Sequence, residues 1–351
     1  TQRRIASEIT NSLQLKLSGA DVNKVAKNFT ENDEAYQLYL KGRYYWNKRT
    51  EEGATKAIEY YTEAIRKDPA YALAYTGLAD AYCSLGFSFD VGSLPPNEAM
   101  PKAKAAALRA LELDSSLSEA HTSLAMINLL FDWDWAHAEQ EFKRAIELDP
   151  NNTNAHHWYS HLLLPMVRVD ESLLESQRAL QNAPLDLIIN VHLGWHYLYS
   201  RQYKSAVDQL NKTLEMDPNY TVARRYLGLT YEQTGQHQEA LKALQTALES
   251  VKKNSAIEAE VGHALAISNN KAEAQRVLDR LLALSKERFV SSYDIAHIYV
   301  GLGDHDKAFF WLEKALNERD DLLVYLKADP RMDPLHSDPR FSKLVQKIGL
   351  P

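Results

Sequence analysis

The stretch LIINVHLGWHYLYSR at 187–201, followed after Gln202 by YKSAVDQLNKTLEMDP at 203–218, reads as two helices joined by a tight turn. Leu193 and Tyr197 in the first half, and Leu210 and Leu214 in the second, stand four apart. That is the spacing of one helix face, not the alternation of a strand. Gly194 and Ala206 are small where the two helices must approach closely. The closing Asp217-Pro218 ends the second helix, because proline disfavours the α conformation in the residue before it. Proline is also tolerated in the first turn of whatever helix follows.

The same ending recurs along the chain: AIRKDP at 64–69, ALELDS at 110–115, AIELDP at 145–150, ALQNAP at 179–184 and TLEMDP at 213–218. Successive endings are 46, 35, 34 and 34 residues apart. Two more steps of 34 from Ala247 reach Leu281 and Ala315 in matching contexts. A fixed period of this size marks a solenoid, in which each helix pair buries its apolar face against its neighbours. The 351 residues therefore need not divide into several globular domains, as length alone would suggest.

These residues resemble the tetratricopeptide repeat. Tyr75, Leu78, Ala79, Tyr82, Leu85 and Gly86 mark one first helix, Leu193, Gly194 and Tyr197 another, and Leu227, Gly228, Tyr231, Thr234 and Gly235 a third. Second helices carry Ala57/Tyr61/Ala64/Pro69, Ala138/Phe142/Ala145/Pro150, Ala206/Leu210/Thr213/Pro218, Ala240/Leu244/Ala247 and Ala308/Leu312/Ala315. The resemblance implies an all-α fold: a right-handed superhelix of about eight helix-turn-helix repeats with terminal caps. The repeats fall at 34–69, 70–114, 115–150, 151–184, 185–218, 219–252, 253–285 and 286–318. An amphipathic helix at 1–18 and a polar linker to residue 33 precede them, and a proline-punctuated segment with a short helix at 339–348 occupies 319–351. Runs such as EAYQLYLKGRYYWNKRTEEG and FDWDWAHAEQEFKRAIELDP further resemble the C-terminal repeat region of large bacterial signalling proteins, which implies a regulatory setting. The chain opens at Thr1 within helix-like sequence and is read as a piece of a longer protein.

The departures from the pattern are as informative as the matches. About eleven extra residues stand at Phe87–Asn97, and are expected to tuck onto the scaffold. One extra residue stands in DWDW at 132–135, read as an aromatic-anchored helix start. Ser172 and Ser176 replace the usual Ala and aromatic, which predicts looser packing in the fourth repeat, and Pro165 ends or kinks its first helix.

Composition excludes several classes of function. The net charge is −7, without the basic footprint of a nucleic-acid binder, although residues 1–50 carry nine Lys/Arg against five Asp/Glu. The single cysteine, Cys83, can form no intrachain disulfide and is read as a small buried residue, with a cytoplasmic setting as the mild inference. An extracytoplasmic setting stays open should a membrane span lie upstream. No run of 18 apolar residues is present. No phosphate-binding glycine motif, nucleophile elbow or cysteine with an obvious base is present either, so no catalysis and no cofactor is expected.

By resemblance, first helices line the concave face that serves as the ligand groove. One inward slot per repeat gives Arg43, Asp80, Met126, His161, Trp195, Leu229, His263 and His297. The slot one turn earlier gives Tyr39, Thr76, Thr122, His157, Val191, Arg225, Ala259 and Tyr293. The groove residues singled out are Tyr39, Arg43, His157, His161, Trp195, Arg225, His263, Tyr293 and His297. Imidazole, aromatic and arginine side chains suit an extended peptide or partner helix, although a groove aromatic can equally serve packing alone. The Lys/Asn/Arg carboxylate clamp of the family's chaperone-binding subgroup is missing: the equivalent slots hold Tyr39 with Arg43, Gly77, and Glu119 with Ser123. No metal is expected. His161, His263 and His297 stand one per repeat at roughly 10 Å, the spacing of packed helices. His157 and His161 share one helix face, with no third ligand in view.

The expectation is thus a protein-interaction scaffold, the docking module of a larger bacterial signalling or transcriptional regulator. It would hold a peptide, a partner protein or its own upstream effector domain in the groove around His161, Trp195, Arg225 and Tyr293. A small-molecule sensor with a closed pocket and a homo-oligomerisation scaffold are the alternatives; any enzyme activity would lie upstream of Thr1.

Overall fold

The computed structural model describes residues 30–87, 92–251 and 254–350. The helix expected at 1–18 and nearly all of the linker lie outside the described residues, as does Phe89. Among the described residues there is no strand. Eight helix pairs follow one another: α1 (Asp33–Trp46) with α2 (Glu51–Lys67), α3 (Ala72–Gly86) with α4 (Pro96–Leu113), α5 (Ser118–Ile127) with α6 (Trp135–Leu148), and α7 (Thr153–Leu163) with α8 (Val169–Asn182). They continue as α9 (Leu187–Tyr199) with α10 (Tyr203–Met216), α11 (Thr221–Gln233) with α12 (His237–Ser250), α13 (Ser255–Ile267) with α14 (Lys271–Leu284), and α15 (Ser292–Leu302) with α16 (His305–Glu318). The result is an α-solenoid. Contacts between alternate helices join α1 to α3, α3 to α5, α5 to α7, α9 to α11, α11 to α13 and α13 to α15, so the odd-numbered set lines the inside of the curve.

Local chemistry explains the period. At Asp68 and Asp217 the backbone leaves the helix for the extended region, as a residue before proline must. Each carboxylate then accepts from the backbone N–H two residues on, at 3.0 Å from Ala70 and 2.9 Å from Asn219. Inside the last five pairs the turn is also fixed. Val167, Arg201, Gly235, Asn269 and Gly303 stand 34 apart, and all have positive φ. The next amide bonds a carbonyl five residues back in each case, as in Gln202 to Tyr197 at 2.8 Å and Asp304 to Tyr299 at 3.0 Å. This is the Schellman closure of a helix. Close approach explains Gly194, where a Cβ would stand 2.7 Å from Leu210 Cγ.

The irregularities have definite shapes. The one extra residue of the third repeat is absorbed by a π-helical turn at Asn128–Asp132, after which Trp133 adopts φ 58° and Asp134 caps α6. Phe87 is tucked into the core as expected. α7 ends at Leu163, two residues before Pro165. The looser packing expected at Ser172 and Ser176 is corrected: both are buried. Ser172 Oγ donates 2.8 Å to the Ser160 carbonyl and lies 3.0 Å from His196 Nδ1, so polar bonding replaces apolar contact there.

The C-terminal segment does more than cap the last repeat. After α16 the chain turns at Arg319 and runs along the inside of the curve as two 3-10 turns, Asp321–Tyr325 and Pro330–Leu335, before α17 (Pro339–Ile348). Leu323, Val324, Leu326, Met332 and Leu335 are fully buried. Three contacts tie this end to the second and third repeats. Trp135 Nε1 donates 3.1 Å to the Ile348 carbonyl, the Arg319 guanidinium lies 4.1 Å over the Trp133 ring, and Asn97 Nδ2 reaches the Glu318 carbonyl at 3.4 Å.

Candidate functional site

The concave face of repeats four to eight is filled by this segment, which corrects the picture of an open groove around His161, Trp195, Arg225 and Tyr293. Of the nine residues singled out, His157, His161, Trp195, His263, Tyr293 and His297 are buried, and the Arg225 side chain is 15 % exposed. Tyr39 is also buried, its ring 5.8 Å from Tyr61 and 5.3 Å from Tyr71, with only its hydroxyl reached by Arg43 at 3.3 Å. Arg43 alone is exposed.

Helix periodicity aims the side chains inward, and the C-terminal segment meets them with complementary chemistry. Asp329 caps the second 3-10 turn and sits among Arg331, His297, Tyr199 and Tyr293. His297 Nε2–H donates to Asp329 Oδ2 at 3.0 Å, Arg331 Nη2 at 2.7 Å, Tyr199 Oη at 3.2 Å and Tyr293 Oη at 3.4 Å. Burial raises the Asp329 carboxyl, but the Arg331 charge and the His297 contact outweigh it and hold the group well below the usual carboxylate range. Burial, reinforced by Arg331, lowers His297 to about 3, so its imidazole is neutral. Arg225 binds Glu260 through Nε and Nη2 at 2.7–2.9 Å. Asp320 accepts from Ser291 Oγ at 2.7 Å and from the Tyr293 amide at 3.2 Å, and burial pushes it up to about 6.

A second cluster lies between repeats four and five. His157 and His161 stand one turn apart on α7, and His192 comes from α9. His192 Nδ1 is 2.5 Å from His157 Nε2 and 3.2 Å from His161 Nε2. One ring nitrogen from each lies within 4.8 Å of the other two, a spacing compatible with a metal ion. The expectation that no third ligand stands nearby is therefore corrected. Helix axes about 10 Å apart do not set ring distances: the His157 and His192 rings approach to 4.7 Å, and those of His263 and His297 to 6.1 Å. His192 was missed because it flanks the inward slot held by Val191. His161 is stacked on Trp195 at 4.6 Å, and its Nδ1 faces the Tyr325 hydroxyl at 3.1 Å. Burial holds His157 and His161 well below the usual imidazole range and brings His192 to about 3. A cavity of about 40 Å³ adjoins His161, His192, Trp195, Arg225 and Tyr325. It holds about one water and is far below the several hundred Å³ of a small-molecule pocket.

Comparison with known proteins agrees with the architecture. Two tetratricopeptide repeat models match, over residues 192–255 and 291–321. The transcriptional regulator HilA of Salmonella typhimurium is 25 % identical over 58 % of this chain and 30 % of its own length. Superkiller protein 3 of Schizosaccharomyces pombe is 26 % identical over 61 % of this chain and 15 % of its own. This chain thus spans less than a third of either relative. Among solved structures, yeast Tom70 superposes with a TM-score of 0.56 at 17 % identity, covering 91 % of this chain and 69 % of that one. The Cut9 and Hcn1 hetero-tetramer of the APC/C gives 0.58 at 15 % identity, covering 98 % and 59 %. Both show likeness of fold. Among the described residues no helix is long and apolar enough to cross a membrane.

Proposed function

Because the chain is an array of tetratricopeptide repeats, we propose that it acts as a protein-interaction scaffold with no reaction of its own, docking a partner on the concave side of its first three repeats. The observation that carries this is the exposure of Arg43 on α1, outside repeats four to eight where the C-terminal segment fills the groove. Around it stand Asp80 on α3, whose carboxyl burial pushes up to about 6, and Ser123 on α5, which donates to Asp80 at 2.5 Å. An exposed arginine beside a half-buried carboxyl suits a polypeptide partner, supplied in trans or by an effector domain of the same protein.

Displacing the C-terminal segment would cost a partner the burial of five apolar side chains, about 1.5–3 kcal/mol each as an upper estimate. Docking on surface the chain leaves open avoids that cost. The cavity beside Trp195, at about 40 Å³, gives no support to a compact ligand seated there. The match to a bacterial transcriptional regulator supports a place as the docking module of a larger bacterial regulator; a cytoplasmic setting goes with that reading.

The test is photo-crosslinking in cells from position 43, with a control at the exposed Met216 on α10. Position 43 should yield a discrete protein adduct that Arg43→Glu, with the crosslinker moved to position 44, abolishes. Adducts from position 216 alone would place docking on the outer surface and sink the reading.

A further inference from the structure

We propose that His157, His161 and His192 form a binding site for one borderline transition-metal ion such as Zn²⁺, Co²⁺ or Ni²⁺, coupling the fourth repeat to the fifth. The argument begins with how the buried histidines of this chain are satisfied. His156 is held by Glu175 at 2.5 Å and by the Pro150 carbonyl at 2.9 Å. His196 is held between Ser160 Oγ at 2.8 Å and Ser172 Oγ at 3.0 Å. His263 faces Glu232 and His297 faces Asp329. Each of these four meets a carboxylate, a carbonyl or a hydroxyl. His157, His161 and His192 instead turn a ring nitrogen toward one another.

Three facing imidazole nitrogens are a poor hydrogen-bond arrangement. They have three lone pairs or protons to place in one small space, and one shared proton satisfies only part of the set. A cation at their centre satisfies all three. On a tetrahedral ion, metal–nitrogen lengths of about 2.0–2.1 Å set neighbouring ligand atoms about 3.3 Å apart. The nitrogens here span 2.5 Å to at most 4.8 Å, so shifts of under about 1 Å complete the site. The backbone supports the geometry, because i,i+4 residues share a helix face and His192 of α9 reaches both of these α7 side chains.

The outer surroundings suit the same occupant. The Tyr325 hydroxyl lies 3.1 Å from His161 Nδ1 and can accept its proton, which leaves Nε2 bare for a metal. Outer hydrogen bonds of this kind fix the tautomer of a ligating imidazole. An all-nitrogen set selects against Ca²⁺ and Mg²⁺, which need oxygen ligands. A cavity of about 40 Å³ lined in part by His161 and His192 lies beside the cluster and has room for a water.

The experiment uses the whole chain without a polyhistidine tag, stripped with a chelator and titrated with CoCl₂. Visible bands of tetrahedral Co²⁺ should saturate at one equivalent, and ZnCl₂ should bleach them. His192→Gln and His161→Gln should abolish the bands, while the surface variant His137→Ala leaves them intact. Tyr325→Phe keeps the ring and removes only the hydroxyl. It should weaken binding by about tenfold, the usual effect of losing an outer hydrogen bond, and it keeps the test open should a histidine variant fail to fold by circular dichroism. Absence of the bands in the intact chain would overturn the proposal, as would bands that persist in both ligand variants.

Discussion

At the scale of single residues, the buried pair of His297 and Asp329 sets a neutral imidazole against an ionised carboxylate, and this makes stability depend on pH. His297 has a folded-state pKa of about 3, below its ordinary value near 6.5. The unfolded chain therefore binds more protons between those values. The stabilisation is complete above pH 6.5 and is lost as pH falls toward 3. At pH 5.5 the loss is about 1.4 kcal/mol for this one group. Chemical denaturation at pH 7 and 5.5 should show the intact chain losing that much more than His297→Gln, whose amide can still donate to Asp329. Equal losses would remove His297 from the account. The inward aim of His161, Trp195, Tyr293 and His297 was legible in the sequence, because helix periodicity is local. What meets them was not: Asp329 reaches His297 across 32 residues and Tyr325 reaches His161 across 164, and no periodic pattern records such pairings.

At the scale of elements, the repeat was read from Asp-Pro endings and small residues, and the helix pairs follow those marks. The inner turns were less legible. A left-handed residue every 34 positions is obvious when glycine fills it, as at Gly235 and Gly303, and hidden when Val167, Arg201 or Asn269 does. Valine is the most strained of these, since its branched Cβ crowds the following carbonyl, at a cost of about 1–2 kcal/mol. Val167→Gly should raise stability by about 0.5–1 kcal/mol once the greater freedom of glycine in the unfolded chain is set against that relief. Thermal unfolding of the single variant measures it, and a lowered midpoint would show that the turn before α8 depends on the valine side chain. The third repeat teaches a related point. One surplus residue was countable near DWDW, but its accommodation as a π-helical turn depends on backbone bonding that composition does not express.

At the scale of the whole molecule, the C-terminal segment turns an open spiral into a closed body. Ending the chain at Glu318 should uncover α9, α13 and α15 together. Hydrogen–deuterium exchange should then rise along those helices while α1 and α2 keep their protection. Unchanged exchange would mean that the segment only rests on the surface. In sequence, residues 319–351 read as a cap, because terminal repeats need a cover. Proline punctuation argued for irregular backbone there, and it carried no information on where that backbone would run. The bond between Trp135 and Ile348 joins positions 213 apart, whereas each repeat is completed by contacts close in sequence. Local helix pairs form early, and a contact of such separation must wait on a large loss of chain entropy. During synthesis, the first seven repeats can fold well before residue 348 emerges. For that interval the histidine- and tyrosine-lined interior stands open to whatever surrounds the ribosome, and it closes only once residues 319–348 have emerged.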